Sequence, residues 1–165
     1  MKAAEYNILL SQYSSPLLRF SFNFLRNEEE AKDIVQDVFE KLWLNREKVE
    51  INKVKSWLFT CAHHAMVNLI KKRNRVCNLN LNSHDNGELQ AFNFESTQTI
   101  EQIVSGLPPL QKSIILLRDL EGYHYQEIGE ILSLNPSQVK VYLFRARVKI
   151  KKQLTHLKRY YDFSR

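Results

Sequence analysis

The sequence predicts an all-α protein. It reads as two small helical domains joined by a flexible linker, the C-terminal one a helix-turn-helix domain of a winged-helix-like, four-helix type. Three observations carry that expectation. Apolar residues recur at steps of three and four through most of the chain, the period of helices with one face turned inward. Only four glycines and four prolines occur among 165 residues, too few turn-formers for a fold built on strands. The third is a long lapse in that period over residues 76–99, VCNLNLNSHDNGELQAFNFESTQT, a polar, Asn-rich stretch that reads as a tether. Its NLNLN segment alternates like a strand but has no evident partner. The expected domains are residues 1–75 and 100–160.

Residues 3–24 place Tyr6, Leu9, Leu10, Tyr13, Leu17 and Phe20 on one helical face. Ser14-Ser15-Pro16 interrupts them, and the donor that proline lacks predicts a kink or a split. Asn27 is placed to cap a second helix, whose first turn, Glu28-Glu29-Glu30, suits the positive end of the helix dipole. Its inward stripe is Ala31, Ile34, Val35, Val38, Phe39, Leu42 and Trp43, and its outward face carries Lys32, Asp33, Gln36, Asp37, Glu40 and Lys41. In isolation that face reads as solvated surface. Residues 44–53 lack any period and predict a loop with a short helical turn. A third helix is expected over residues 52–74, with Val54, Trp57, Leu58, Cys61, Ala65 and Leu69 inward. It closes on Lys71-Lys72-Arg73-Asn74-Arg75, more cations than a helix end requires. That run fits phosphate contact and a solubilising helix end equally well. Trp43 and Trp57 flank the loop at spacings that suit core packing better than base stacking.

Beyond the tether, Ile100, Ile103, Val104 and Leu107 predict a short helix. Pro108-Pro109 opens the next, which contains Leu110, Ile114, Ile115 and Leu117, and Gly122 is placed to close it. A helix over Tyr125–Leu132 then leads through Ser133, Leu134 and Asn135 into a second, basic helix reaching about residue 158. Four signals fix that start: Asn135 as N-cap, Pro136 at the first helical position, Gln138 for a capping box, and Leu134 with Val139 for a hydrophobic staple. Val139, Leu143, Ala146, Ile150, Leu154 and Leu157 form its inward stripe; Lys140, Arg145, Arg147, Lys149, Lys151 and Lys152 occupy the rest. This pattern fits a helix-turn-helix presenting its second helix to the DNA major groove. It also fits an ordinary αα-hairpin with a solvated basic face.

The net charge of +6 divides unevenly, being −2 over residues 1–50, +6 over 51–75, −6 over 76–135 and +8 over 136–165. Two basic blocks flanking an acidic one point to two separate contacts with a polyanion. No apolar run approaches the ~18 residues needed to span a bilayer, and no secretory leader is recognisable at the N-terminus, so a cytoplasmic location is expected. Gly87, Gly106, Gly122 and Gly129 never cluster into a phosphate-binding loop. No catalytic triad stands out from scattered polar residues, so no enzymatic activity, cofactor or small-molecule substrate is expected. Cys61 and His64, with His63, Cys77 and His84 nearby, lack the paired spacings of a zinc site. Cys61 also lies on an apolar stripe, so no metal is expected.

Two motifs, one in each half, resemble the same family. AKDIVQDVFEKLW (residues 31–43) is similar to the helix shared by bacterial sigma factors of the extracytoplasmic-function (ECF) group. LPPLQKSIILLRDLEGYHYQEIGEILSLNPSQVKVYLFRARVKIKKQL (residues 107–154) is similar to that group's C-terminal domain. The resemblance includes Ser56-Trp57-Leu58 and the basic run. It implies a sigma factor that binds core RNA polymerase and directs it to a two-part promoter. Asp33, Gln36, Asp37 and Glu40 match the surface that docks on the β′ clamp helices, and the β flap is a second implied contact. Residues 44–53, including Asn52 and Lys53, match the segment that captures a flipped base of the minus-ten element. His63, His64, Val67, Asn68, Lys71 and Lys72 lie on the helix lining the melted strand. Arg118 matches a DNA-backbone contact near the minus-thirty-five element, and Lys140, Val141, Phe144 and Arg145 match the positions that read it. Gln138 and Arg147 complete the expected upstream DNA-binding set. The implied further partner is an anti-sigma factor, often membrane-associated.

The chain departs from the family at His64, Asn68, Lys112, Gly129 and Gln138, where Asn, Asp, Arg, Ala and Thr are usual. Gln138 is placed to serve the capping box instead of reading bases. Gly129 should weaken its helix by up to about 1 kcal/mol relative to Ala unless close packing requires it. The alternative reading is a conventional helix-turn-helix regulator with a dimerising or sensing N-terminal domain.

Overall fold

Asn27 and Asn135 start two helices by the same chemistry. The Asn27 Oδ1 accepts the Glu30 N–H at 3.0 Å. The Asn135 Oδ1 accepts the Gln138 N–H at 2.8 Å, while the Asn135 N–H donates to the Gln138 Oε1 at 2.9 Å. The second is a complete capping box, satisfying two donors that a helix start leaves free. The computed structural model describes residues 1–80 and 96–163. Most of the predicted tether, residues 81–95 and with it His84, lies outside the described residues.

The helices are α1 (Ala3–Leu25), α2 (Glu28–Leu44), α3 (Val54–Asn80), α4 (Ser96–Ser105), α5 (Pro109–Ile115), α6 (Tyr125–Leu132) and α7 (Pro136–Phe163). A 3-10 turn at Ile51–Lys53 precedes α3, and a π-helical turn at Leu116–Leu120 extends α5. No strand occurs among the described residues. Pro16 does not split α1. Leu9 on one side of it and Leu17, Phe20 and Phe24 on the other are buried in one core, so packing carries the axis across the missing hydrogen bond. The α3 helix runs past the expected residue 74 because neither Gly nor Pro occurs within it. Its last turns gain nothing from burial: Val76 and Leu79 are exposed. The basic run at 71–75 therefore lies within a helix and is not its C-terminal cap. The α4 helix likewise begins inside the predicted tether.

The two halves pack together on α3. Its expected stripe is only partly the observed one: Val54 and Leu58 are buried, but so are Phe59, Ala62 and Met66, on a face not foreseen from the sequence. The Phe59 ring meets Phe20 of α1 at 5.5 Å and, edge to face, Tyr123 of the second half at 5.2 Å. Buried side chains of both halves thus form one hydrophobic cluster.

Polar contacts frame this junction. Arg19 grips Glu121 through two hydrogen bonds of 2.7 and 2.8 Å, Arg26 pairs with Glu101 at 2.7 Å, and Lys55 pairs with Glu127 at 2.5 Å. The Thr60 hydroxyl donates to the Ile131 carbonyl at 2.9 Å. Part of the acidic block between the two basic ones is therefore an internal partner of the first half.

Gly129 is explained by the turn between α6 and α7. A Cβ there would lie 2.3 Å from the Leu134 carbonyl oxygen, a backbone atom that cannot rotate away. Ser133 makes the turn in the left-handed region at φ 57°. Gly129→Ala gains at most about 1 kcal/mol of helix propensity, whereas forced overpacking costs about 1–3 kcal/mol. The expected result is a lowered midpoint in thermal or urea unfolding.

Candidate nucleic-acid and polymerase interfaces

On α7 the capping box sets the helix rotation. Val139, Leu143 and Ala146 are buried, which turns Lys140, Val141, Phe144 and Arg145 outward. Phe144 is 70% exposed and Val141 47% exposed, apolar side chains with no part in the core. Gln138 is occupied by its cap. Arg118 reaches the same side of the molecule from the π-helical turn: its Nη1 donates to the Tyr123 carbonyl at 2.8 Å and its Cζ lies 4.8 Å from the Tyr125 ring centroid. Arg147 pairs with Asp119 at 2.6 Å. Arg118, Lys140 and Arg147 are thus brought near one another by α7 and the turn after α5, while Arg145 lies over the Tyr142 ring at 5.9 Å.

The downstream set divides. Asn52, Lys53, His64, Asn68, Lys71 and Lys72 are exposed and Val67 is half-buried. His63 is buried instead, with its Nδ1 2.7 Å from the Ser113 Oγ of α5. Beside it, Lys112 is also buried, its Nζ 4.7 Å from the Phe24 ring centroid and 3.4 Å from the Phe24 carbonyl oxygen. Burial, and then the nearby Arg73, push the Lys112 pKa down.

His63 gives this junction a pH dependence. Burial first, and the neighbouring His64 second, push its pKa from 6.5 to about 4. Between those values the unfolded chain binds a proton that the folded chain excludes, so stability falls as pH falls through this window. The full effect is on the order of 3 kcal/mol. His63→Gln, neutral throughout, should flatten that part of the profile when urea unfolding is measured from pH 7 to pH 4.

The loop after α2 displays a second exposed apolar group. Leu44 and Ile51 are exposed, and Trp43, expected in the core, is 37% exposed. The Arg46 guanidinium covers the Trp43 ring at 4.4 Å, and Tyr6 meets it edge-on at 5.0 Å. The apolar period of α2 could not reveal this, because Trp43 is the last member of its stripe and falls at the rim. Asp33, Gln36, Asp37 and Glu40 all lie exposed on α2. Gln36 and Glu40 border a groove between α1 and α2 that also includes Tyr6, Leu10 and Phe39.

Two family models match this chain in order. The model for Sigma-70 region 2 matches residues 9–76 and that for Sigma-70, region 4 matches residues 97–150. The chain belongs to the ECF group of the sigma-70 family. Among curated relatives of this sigma factor is the RNA polymerase sigma factor YlaC of Bacillus subtilis (strain 168), 28% identical over 156 residues, covering 89% of this chain and 90% of the relative. The ECF RNA polymerase sigma factor SigW of the same strain is 26% identical over 161 residues, covering 88% of this chain and 86% of the relative.

Two solved structures share the fold. The sigma factor RpoE, in complex with the anti-sigma factor NepR from Bartonella quintana, superposes with a TM-score of 0.73 at 21% identity, over 91% of this sigma factor and 96% of that chain. CnrH, in complex with the cytosolic domain of CnrY, superposes with a TM-score of 0.71 at 21% identity, over 92% and 88%. The region 2 match runs from within α1 into α3, and the region 4 match runs from α4 into α7 and includes the helix-turn-helix at α6–α7.

Proposed function

We propose that this sigma factor binds core RNA polymerase and carries it to a two-part promoter, region 4 reading the upstream element and region 2 opening and holding the downstream one. The observation that carries this reading is the outward face of α7. Phe144 and Val141 stand exposed between Lys140 and Arg145 on a helix whose opposite stripe is buried. Exposed apolar side chains among cations suit thymine methyl groups and base edges in the major groove, with the cations on guanines and phosphates.

The acidic face of α2, with Asp33, Gln36, Asp37 and Glu40, serves the polymerase clamp. The segment over residues 44–53, with Asn52 and Lys53, receives a flipped base, whose unstacking costs a few kcal/mol. His64, Asn68, Lys71 and Lys72 follow the strand along α3, and His63 joins them only after region 4 leaves that helix. The reading takes residues 1–75, 76–99 and 100–160 as region 2, tether and region 4. The chemistry of transcription belongs to the polymerase, and this chain performs none. An anti-sigma factor is the proposed regulator, as RpoE is solved in complex with one.

The test is transcription from purified parts. The chain mixed with core polymerase on fragmented genomic DNA should yield discrete transcripts sharing two upstream sequence elements. Binding to a palindromic site without any association with core would overturn the proposal.

A further inference from the structure

Beside the outward face of α7, the half-buried Tyr125 contacts cations from two separate segments. The Arg118 Cζ lies 4.8 Å and the Lys140 Nζ 5.6 Å from the centroid of the Tyr125 ring. Arg118 comes from the π-helical turn and Lys140 from the second turn of α7. The residue after Arg118, Asp119, holds Arg147 of α7 at 2.6 Å. Tyr125 itself is the first residue of α6, where the preceding His124 N–H donates to the Glu127 carboxylate at 2.8 Å. Its backbone is therefore fixed by a cap.

From this arrangement we infer that Tyr125 is a positioning residue for DNA binding, its ring gathering Arg118 and Lys140 into one phosphate-gripping cluster across the helix-turn-helix. Two long cationic side chains from different segments repel one another and lose rotamer freedom when DNA orders them. An aromatic face within about 6 Å attracts each cation. It offsets their repulsion and confines both before the DNA arrives, so less ordering remains to be done on binding. On a duplex of arbitrary sequence the cluster meets phosphates alone, so there its effect is independent of base sequence. The inference rests on the proposed DNA-binding role of region 4.

The experiment follows the full chain by fluorescence anisotropy on a short labelled duplex of arbitrary sequence, across a salt series. Tyr125→Leu should weaken binding about three- to ten-fold and make the log–log salt slope shallower by roughly one contact, since each neutralised phosphate contributes about −0.9. Tyr125→Phe, which keeps the ring and loses only the hydroxyl, should retain both affinity and slope. Tyr125→Leu combined with Arg118→Ala should lose less than the product of the two single losses, as expected of groups acting together. If Tyr125→Leu unfolds, Tyr125→Met supplies similar reach without a π face.

Wild-type affinity and slope in a folded ring-less variant would overturn the inference. So would Tyr125→Phe failing as badly as Tyr125→Leu, or a strictly multiplicative double variant. Those results leave the DNA-binding role of region 4 intact if Arg118→Ala and Lys140→Ala still weaken binding. If neither does, the DNA-binding role itself fails and the positioning role falls with it.

Discussion

Phe59→Ala should lower the stability of the chain by about 3–5 kcal/mol, the range for truncating a fully buried aromatic ring. Phe59 is 0% exposed and touches Phe20 of region 2 and Tyr123 of region 4, so its removal opens a cavity where the two regions meet. Relaxation into that cavity is limited, because α3 is also held by the Lys55–Glu127 pair and by the Thr60 hydroxyl on the Ile131 carbonyl. Urea unfolding followed by circular dichroism measures the loss directly. A cost below about 0.5 kcal/mol, the usual range for surface changes, would mean that the regions do not share this core in solution. Lys55→Ala provides the contrast. Its ion pair is partly exposed, and such pairs are worth about 0–1 kcal/mol, so it should shift the midpoint far less.

The second large effect is expected at the polymerase. Asp37→Arg should weaken association with core polymerase by on the order of a hundred-fold, since reversing a charge replaces an attraction by a like-charge contact worth several kcal/mol. Asp37 is exposed on α2 and outside the buried stripe of Ile34, Val38 and Phe39. The variant should therefore unfold at the wild-type midpoint and bind duplex DNA with wild-type affinity. Competition for core polymerase against the unsubstituted chain reads the loss. An equal loss in duplex binding would remove the division of labour between the α2 and α7 faces.

These two residues also mark what could be read without coordinates. The outward face of α2 was legible because Asp33, Gln36, Asp37 and Glu40 fall between members of a single apolar stripe. Phe59 was not, because α3 is buried on more than one face. A stripe of Val54, Trp57, Leu58, Cys61, Ala65 and Leu69 accounts for one of these, and Phe59, Ala62 and Met66 then look like interruptions. Only the presence of region 4 makes them core. The same holds for His63, which the family resemblance places in the strand-lining set and which is covered by Ser113 of α5. Trp43 errs in the opposite sense, since a residue at the end of an inward stripe can stand at the rim.

The helix starts needed no tertiary information. Asn27 and Asn135 satisfy N–H groups within three residues of themselves, and such local hydrogen bonding is written directly in the sequence. Gly129 is an intermediate case. Its identity signalled either a weak point or a close approach, and the Leu134 carbonyl oxygen that decides for close approach stands only five residues away.

The sequence by itself therefore determined the helical class, the two family motifs, the outward faces of α2 and α7, and the capping box that sets the rotation of α7. All of these depend on neighbours a few residues apart, through helical periodicity or cap chemistry. The tertiary structure alone decided that the regions share one core through Phe59, that Glu101, Glu121 and Glu127 are internal partners of the first half, and that Arg118 and Lys140 meet on Tyr125. Those contacts join residues far apart in the chain. Their energies come from burial and close approach in space, which no local period records.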